Sequence, residues 1–211
     1  VIRDVCKFIN QDYPRSYKVD WNDDKVWDDI ITSPYGIFQF EGKFAFDLLK
    51  KYKPHKINDL SLVNASLRPS GASYRDRLIG GEFNHNPSSE LDNLLKDNHG
   101  FLVFQEDTLK FLMDICGFNG GEADNLRRAI GKKDKKTIQE NLPKIIDGYC
   151  KHSDKSKEQA SKEVQQFIQI LIDASSYQFG YNHSTGYSMV GYLCGYYRYY
   201  HPLEFTCAIL N

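Results

Sequence analysis

A mainly α fold with few or no short strands follows from three features of this chain. Apolar residues recur at helical spacing in several segments, most clearly at Val164, Phe167, Ile168, Leu171 and Ile172, which would put them on one stripe facing a core. Alternating β-branched runs are scarce. At 211 residues the chain can bury a sizeable core without covalent staples, and its five cysteines are widely spaced with no C-x-x-C pair, so neither a disulfide framework nor a zinc ribbon is expected. The thiols suit a reducing, cytoplasmic setting.

Taken in order, Val1-Ile2-Arg3-Asp4 shows neither an initiator Met nor a signal pattern, so the chain reads as a piece of a longer protein. Asp20, Asp23, Asp24, Asp28 and Asp29 make the early chain acidic. Adjacent carboxylates on a helix point apart, and acids favour helix N-termini, so these are poor metal ligands. The stretch from Leu67 through Arg68-Pro69-Ser70-Gly71 to Asn86-Pro87 is rich in turn formers and charges. It is expected to be an exposed connection and a subdomain boundary near 68–88 within a single region spanning 1–211. A helix is expected from Ser89 through Leu95, opened by a Ser-x-x-Asp cap and closed by Gly100. Leu109, Leu112 and Ile115 mark another over 106–116, and a short one over 122–130 follows Gly120-Gly121. The Lys-rich segment 131–162 reads as a solvated helix pair, 157–176 as the clearest amphipathic helix, and 184–200 as a last, multiply buried helix. That last segment is too short and too polar for a membrane span, and no membrane association is expected.

Net charge is −1, but its distribution is uneven. Between Arg127 and Lys136 stand six cations, Arg127, Arg128, Lys132, Lys133, Lys135 and Lys136, against Asp134 alone. A phosphate chain or nucleic-acid backbone would relieve their repulsion, the arginines gripping oxygens with planar forks and Gly131 permitting close backbone approach. A solvated helix end with cations at its negative pole explains the same run. Aromatic rings crowd the C-terminal region at Tyr177, Phe179, Tyr181, Tyr187, Tyr192, Tyr196, Tyr197, Tyr199 and Tyr200. Core packing is the simpler reading for most, with Gly186, Gly191 and Gly195 allowing close helix contact. His183 and Tyr187 differ: four residues apart, they share a face beside a turn containing Gly180 and Asn182. No H-E-x-x-H, Cys/His zinc spacing, Walker A loop or G-x-S-x-G elbow occurs.

The order of several motifs along the chain is more specific than any one of them. Gly36-Ile37-Phe38-Gln39-Phe40-Glu41 resembles the G-[IV]-F-Q-[LF]-E element that opens the fingers of C-family replicative DNA polymerases, the bacterial DNA polymerase III alpha subunits. Asp59 to Pro69 is similar to D-L-x-x-x-N-A-x-x-R-P, and Val103-Phe104-Gln105-Glu106 to V-Y-Q-E. Gly121 to Lys133 is similar to G-E-A-D-x-L-R-R-A-[MI]-G-K-K, while Phe179, His183 and Tyr187 resemble F-x-x-x-H-x-x-x-Y, followed by H-P-x-E-F at His201 to Phe205. Two departures mark a divergent member, such as a phage or prophage polymerase. The Lys that usually precedes Ser-His is missing from Gly180-Tyr181-Asn182-His183, and Arg68-Pro69-Ser70 replaces R-P-G-P.

The resemblance implies nucleotidyl transfer by the whole enzyme, with Mg²⁺ held by palm aspartates upstream of Val1 and no catalytic or metal-binding residue in this fragment, which would be inactive alone. It implies that Arg127, Arg128, Lys132 and Lys133 bind the incoming deoxynucleoside triphosphate, with His183 and Tyr187 on the nascent base-pair side. Arg68, Lys135 and Lys136 would contact template-primer DNA. A sliding clamp is the expected partner of the full-length protein, and the fragment is expected to be a monomer. The alternative is a DNA-binding or interaction module that kept the fold and lost catalysis.

Overall fold

A computed structural model describes residues 1–176 and 178–211; Tyr177, one of the clustered aromatics, lies outside the described residues. In chain order the α-helices are α1 (Ile2–Phe8), α2 (Asp24–Ile30), α3 (Lys43–Tyr52), α4 (Ile57–Ser66), α5 (Ala72–Ile79) and α6 (Ser89–Leu94). They continue as α7 (Gln105–Lys110), α8 (Gly120–Gly131), α9 (Lys135–Ser153), α10 (Lys157–Ala174), α11 (Tyr181–Tyr200) and α12 (Pro202–Leu210). Extended pairing among the described residues is limited to one parallel bridge between Phe104 and Phe179, so the mainly α expectation holds. The helices gather into two compact units, Val1–Arg68 with Asn182–Asn211, and Pro69–Tyr181.

In the first unit the tyrosines of α11 divide between core and surface. Tyr192 and Tyr197 are buried, while Tyr199 and Tyr200 are exposed. Tyr192 packs its ring against Trp21 and Trp27 and donates its hydroxyl to the Asp20 carbonyl at 2.7 Å, which satisfies the one polar atom the ring brings inside. Gly195 lets α11 close on α2, and Gly191 sits near the Phe38 carbonyl. Gly186 has open space around it, so close packing does not explain that glycine. The acidic stretch is structural: Asp23 caps α2 by accepting from the Lys25 N–H, and Asp29 accepts from Arg198 Nε at 2.8 Å. Arg198 also donates to the carbonyls of Asp29, Ser33 and Tyr35, closing the turn after α2 with one guanidinium.

The second unit buries the apolar faces of α6 to α10, including Leu91, Phe111, Phe167 and Leu171. The unit also holds a part-buried polar network. Lys155 bridges Glu90 and Glu163 at 2.8 Å each, and Tyr149 donates to Glu163 at 2.6 Å while pairing with the Ser88 hydroxyl. The Lys155 ammonium draws the Glu90 carboxyl down to about 2. Residues Phe111–Ile115 after α7 form a π-helical turn, and Gly148 of α9 lies so close to the Cys116 carbonyl that no side chain would fit there.

Several local expectations need correction. The segment after Leu67 is exposed over much of its length but is not a simple connection: a 3₁₀ turn at Pro69–Gly71 leads into α5, whose Tyr74, Leu78 and Ile79 are buried. Turn formers there start a helix, and the apolar residues interleaved with the charges give it a buried face. Helix α6 is capped by Ser88, whose extended backbone lets its hydroxyl accept from the Leu91 N–H; Asp92 instead accepts from the Asn86 N–H. Helix α8 includes Gly120 and Gly121, because Asn119 and Glu122 form a reciprocal capping box across them. Helix α11 starts at Tyr181, so Asn182 is helical and not part of a turn; the Tyr181 N–H is received by the Glu106 carboxylate at 2.8 Å.

Candidate functional site

The basic run occupies a corner between two helices. Arg127 and Arg128 lie in the last turns of α8, and Lys132 follows as its C-cap. Lys133 then takes a left-handed φ of 56°. The Lys133 N–H donates to the Ile130 carbonyl at 3.0 Å and the Asp134 N–H to the Ala129 carbonyl at 2.9 Å, the paired bonds of a Schellman termination. Gly131 is therefore not where the backbone turns; it is the last residue of α8, and a Cβ there would meet nothing within 4 Å. Asp134 goes on to cap α9, its carboxylate accepting from the Thr137 N–H and hydroxyl.

This double use of Asp134 fixes where the lysines stand. Lys132 and Lys133 sit at the carbonyl end of α8, where the helix dipole favours cations. Lys135 and Lys136 sit in the first turn of α9, where the dipole disfavours them. Lys136 has a long contact to Glu140 at 4.0 Å, with both side chains largely exposed. Four ammonium groups thus crowd one exposed corner, two of them against the local dipole, an arrangement that a bound polyanion would relieve.

The arginines are held more firmly than the sequence suggests. Asp124, one turn earlier on α8, accepts from Arg127 Nε and Nη2 at 3.0 and 2.8 Å and from Arg128 Nε at 2.8 Å. Hydrogen bonds from Arg128 and then Arg127 keep the Asp124 carboxyl below its ordinary range. Arg127 also donates Nη1 to Gln105 Oε1 at 3.2 Å, and the Gln105 N–H is bound to the Phe179 carbonyl. Sequence reasoning gave neither Asp124 nor Gln105 a role. Asp124 stands three and four residues before the arginines, a helical pairing distance that was readable; Gln105 reaches Arg127 only through the fold.

Of the other site candidates, His183 and Tyr187 share the N-terminal part of α11 with ring centroids 4.1 Å apart, and the Tyr187 and Phe38 rings form a T-shaped pair with centroids 5.3 Å apart. Arg68 is an exposed residue just beyond α4. His183, Tyr187 and Arg68 belong to the first compact unit, whereas Arg127, Arg128, Lys132, Lys133, Lys135 and Lys136 belong to the second. Among the described residues no group of three or more His, Cys, Asp or Glu side chains is placed to hold a metal ion, and no helix is long and apolar enough to cross a membrane.

Comparison with known proteins gives one answer throughout. Residues 1–153 match the model of the bacterial DNA polymerase III alpha subunit finger domain. The chain is 30% identical over 198 residues to the DNA polymerase III subunit alpha of Bacillus subtilis, an alignment covering 92% of this chain and 17% of that protein. Identity is 34% over 181 residues to the same subunit of Treponema pallidum, covering 83% of this chain and 15% of that protein. For Campylobacter jejuni it is 30% over 222 residues, covering 100% of this chain and 18% of that protein. The chain therefore spans less than a fifth of the length of these relatives. With the finger-domain match extending over residues 1–153, the chain belongs to the finger-domain family of bacterial DNA polymerase III alpha subunits.

Proposed function

We propose that this chain serves as the fingers element of a DNA-directed DNA polymerase, holding the triphosphate of an incoming deoxynucleotide and the backbone of template-primer DNA during replication. The observation that carries this reading is Arg128. Its Nε donates to Asp124, its side chain is 64% exposed, its outer two nitrogens make no hydrogen bond among the described residues, and it stands four residues before Lys132 on the same helix. A planar fork presented in this way suits two phosphate oxygens. Lys132 and Lys133 add charge to the same anion, Lys135, Lys136 and Arg68 serve the DNA backbone, and the tilted ring pair His183 and Tyr187 serves the nascent base pair.

In the reaction that this reading serves, the primer 3′-hydroxyl attacks the α-phosphate and pyrophosphate leaves. Mg²⁺ would neutralise the developing charge on those oxygens. The residues described here do not fit that ion, so no step through it is assigned to them. In the proposal its carboxylates belong to other parts of a longer polymerase, as do the contacts to a sliding clamp, and the 211 residues alone are inactive and monomeric. What this chain contributes is position and charge.

Binding of a primer-template duplex, followed by fluorescence anisotropy, tests the reading. If Lys135, Lys136 and Arg68 each neutralise one phosphate, affinity should fall about fortyfold between 50 and 200 mM salt, without dependence on base sequence. Affinity that is constant over that range would overturn the phosphate-binding assignment.

A further inference from the structure

Two adjacent arginines with the same sequence context are in different chemical states, and the difference traces to one carboxylate. All three guanidinium nitrogens of Arg127 are engaged, Nε and Nη2 by Asp124 and Nη1 by Gln105, and the side chain is 21% exposed. Arg128 spends only Nε, on the other oxygen of the same carboxylate. Arg127 is therefore tied at both ends, to its own helix and to Gln105, the first residue of α7, whose N–H bonds the Phe179 carbonyl, while Arg128 is tied at one edge and open at the other.

From this geometry we infer that Asp124 is a positioning residue for phosphate recognition: with Arg127 as its counterweight, it fixes the plane of the Arg128 guanidinium so that Nη1 and Nη2 face the anion together. The inference rests on the phosphate-binding reading above. A lone exposed arginine samples many rotamers and loses that freedom on binding; a fork already held at Nε loses less, and the saved entropy appears as affinity. Placing a carboxylate beside an anion site has a Coulombic cost. That cost is reduced because three N–H donors occupy its two oxygens, and because the trio of Asp124, Arg127 and Arg128 still carries a net positive charge. Gln105 contributes from the far side by preventing Arg127 from swinging towards the anion and releasing Asp124.

The test is a double-mutant cycle on the 211-residue chain, titrating inorganic tripolyphosphate in 0.2 M salt, where the Debye length is under about 8 Å and general charge effects are damped. Asp124→Asn keeps the shape of the side chain, removes its charge and turns one acceptor into a donor facing a guanidinium. It should weaken tripolyphosphate binding by about three- to tenfold, while the melting temperature stays within a few degrees of wild type, because exposed ion pairs contribute little to folding. In an Arg128→Ala background the same substitution should have no further effect, since Asp124 acts through Arg128. Binding by Asp124→Asn equal to or tighter than wild type would overturn the inference, as would an unchanged effect of Asp124→Asn when Arg128 is already absent. If Arg128→Ala alone binds as wild type, the phosphate reading itself fails.

Discussion

Gly195 sets how closely α11 approaches α2. A Cβ there would stand 2.2 Å from Ile30 Cγ2, and that methyl belongs to a fully buried, β-branched side chain that cannot turn away. Gly195→Ala should therefore cost about 1–3 kcal/mol by overpacking and lower the melting temperature by roughly 3–8 °C. Gly186→Ala, on the same helix with nothing within 4 Å, should instead gain about 0.5–1 kcal/mol from the reduced freedom of the unfolded chain. Calorimetric melting of the two variants checks the pair, and shifts of the same sign would contradict the packing described for α11. At this scale the sequence showed that glycines recur along the helix but not which one touches a neighbour, because that depends on where α2 lies. The same limit applies to Asp29. In the sequence it is one of several clustered acids, and only the fold brings Arg198 to it across 169 positions.

Helix existence was legible where apolar spacing was regular, as in α10. The Lys-rich segment 131–162, expected as a solvated helix pair, is the single helix α9 with Ile138, Ile145, Ile146 and Tyr149 buried, running into the start of α10, because its lysines mask that apolar face. Boundaries were legible only where the cap was local. Asn119 with Glu122 is a pattern of side chains three apart, and Ser88 is missed only by one residue, but the start of α11 depends on a carboxylate 75 positions away. Segment α5 was misjudged because its turn formers and charges mask the three residues that it buries. The corner between α8 and α9 carries a further consequence. Its left-handed residue is Lys133, not a glycine, and a non-glycine there costs roughly 1 kcal/mol. Lys133→Gly should raise the melting temperature by about 2 °C while weakening polyphosphate binding through the lost charge. A variant that is both less stable and equally tight in binding would show that the corner is not built as described. A residue kept at conformational cost on an exposed corner fits a role in binding better than one in folding.

Across the whole molecule, the family was legible because six short motifs occur in a fixed order, and residues 1–153 match the finger-domain model of that same family. The division into two compact units was less so, since the second unit is inserted between Arg68 and Asn182 and the first is completed only by α11 and α12. The proposed contacts follow that division, with phosphate and most DNA contacts on the inserted unit and the base-pair face on the discontinuous one. Of all these assignments, the phosphate contact of Arg128 carries the most weight. The direct measurement is steady-state nucleotide incorporation by a polymerase containing this fingers sequence, wild type against Arg128→Ala and Arg128→Lys, with thermal melting alongside. Loss of a charge-assisted, two-point phosphate contact costs roughly 1.5–3 kcal/mol, so kcat/KM for the Ala variant should fall about ten- to a hundredfold with melting unchanged. The Lys variant should recover only part, because an ammonium cannot form the fork. Wild-type incorporation by Arg128→Ala, or a large fall in its melting temperature, would contradict the assignment.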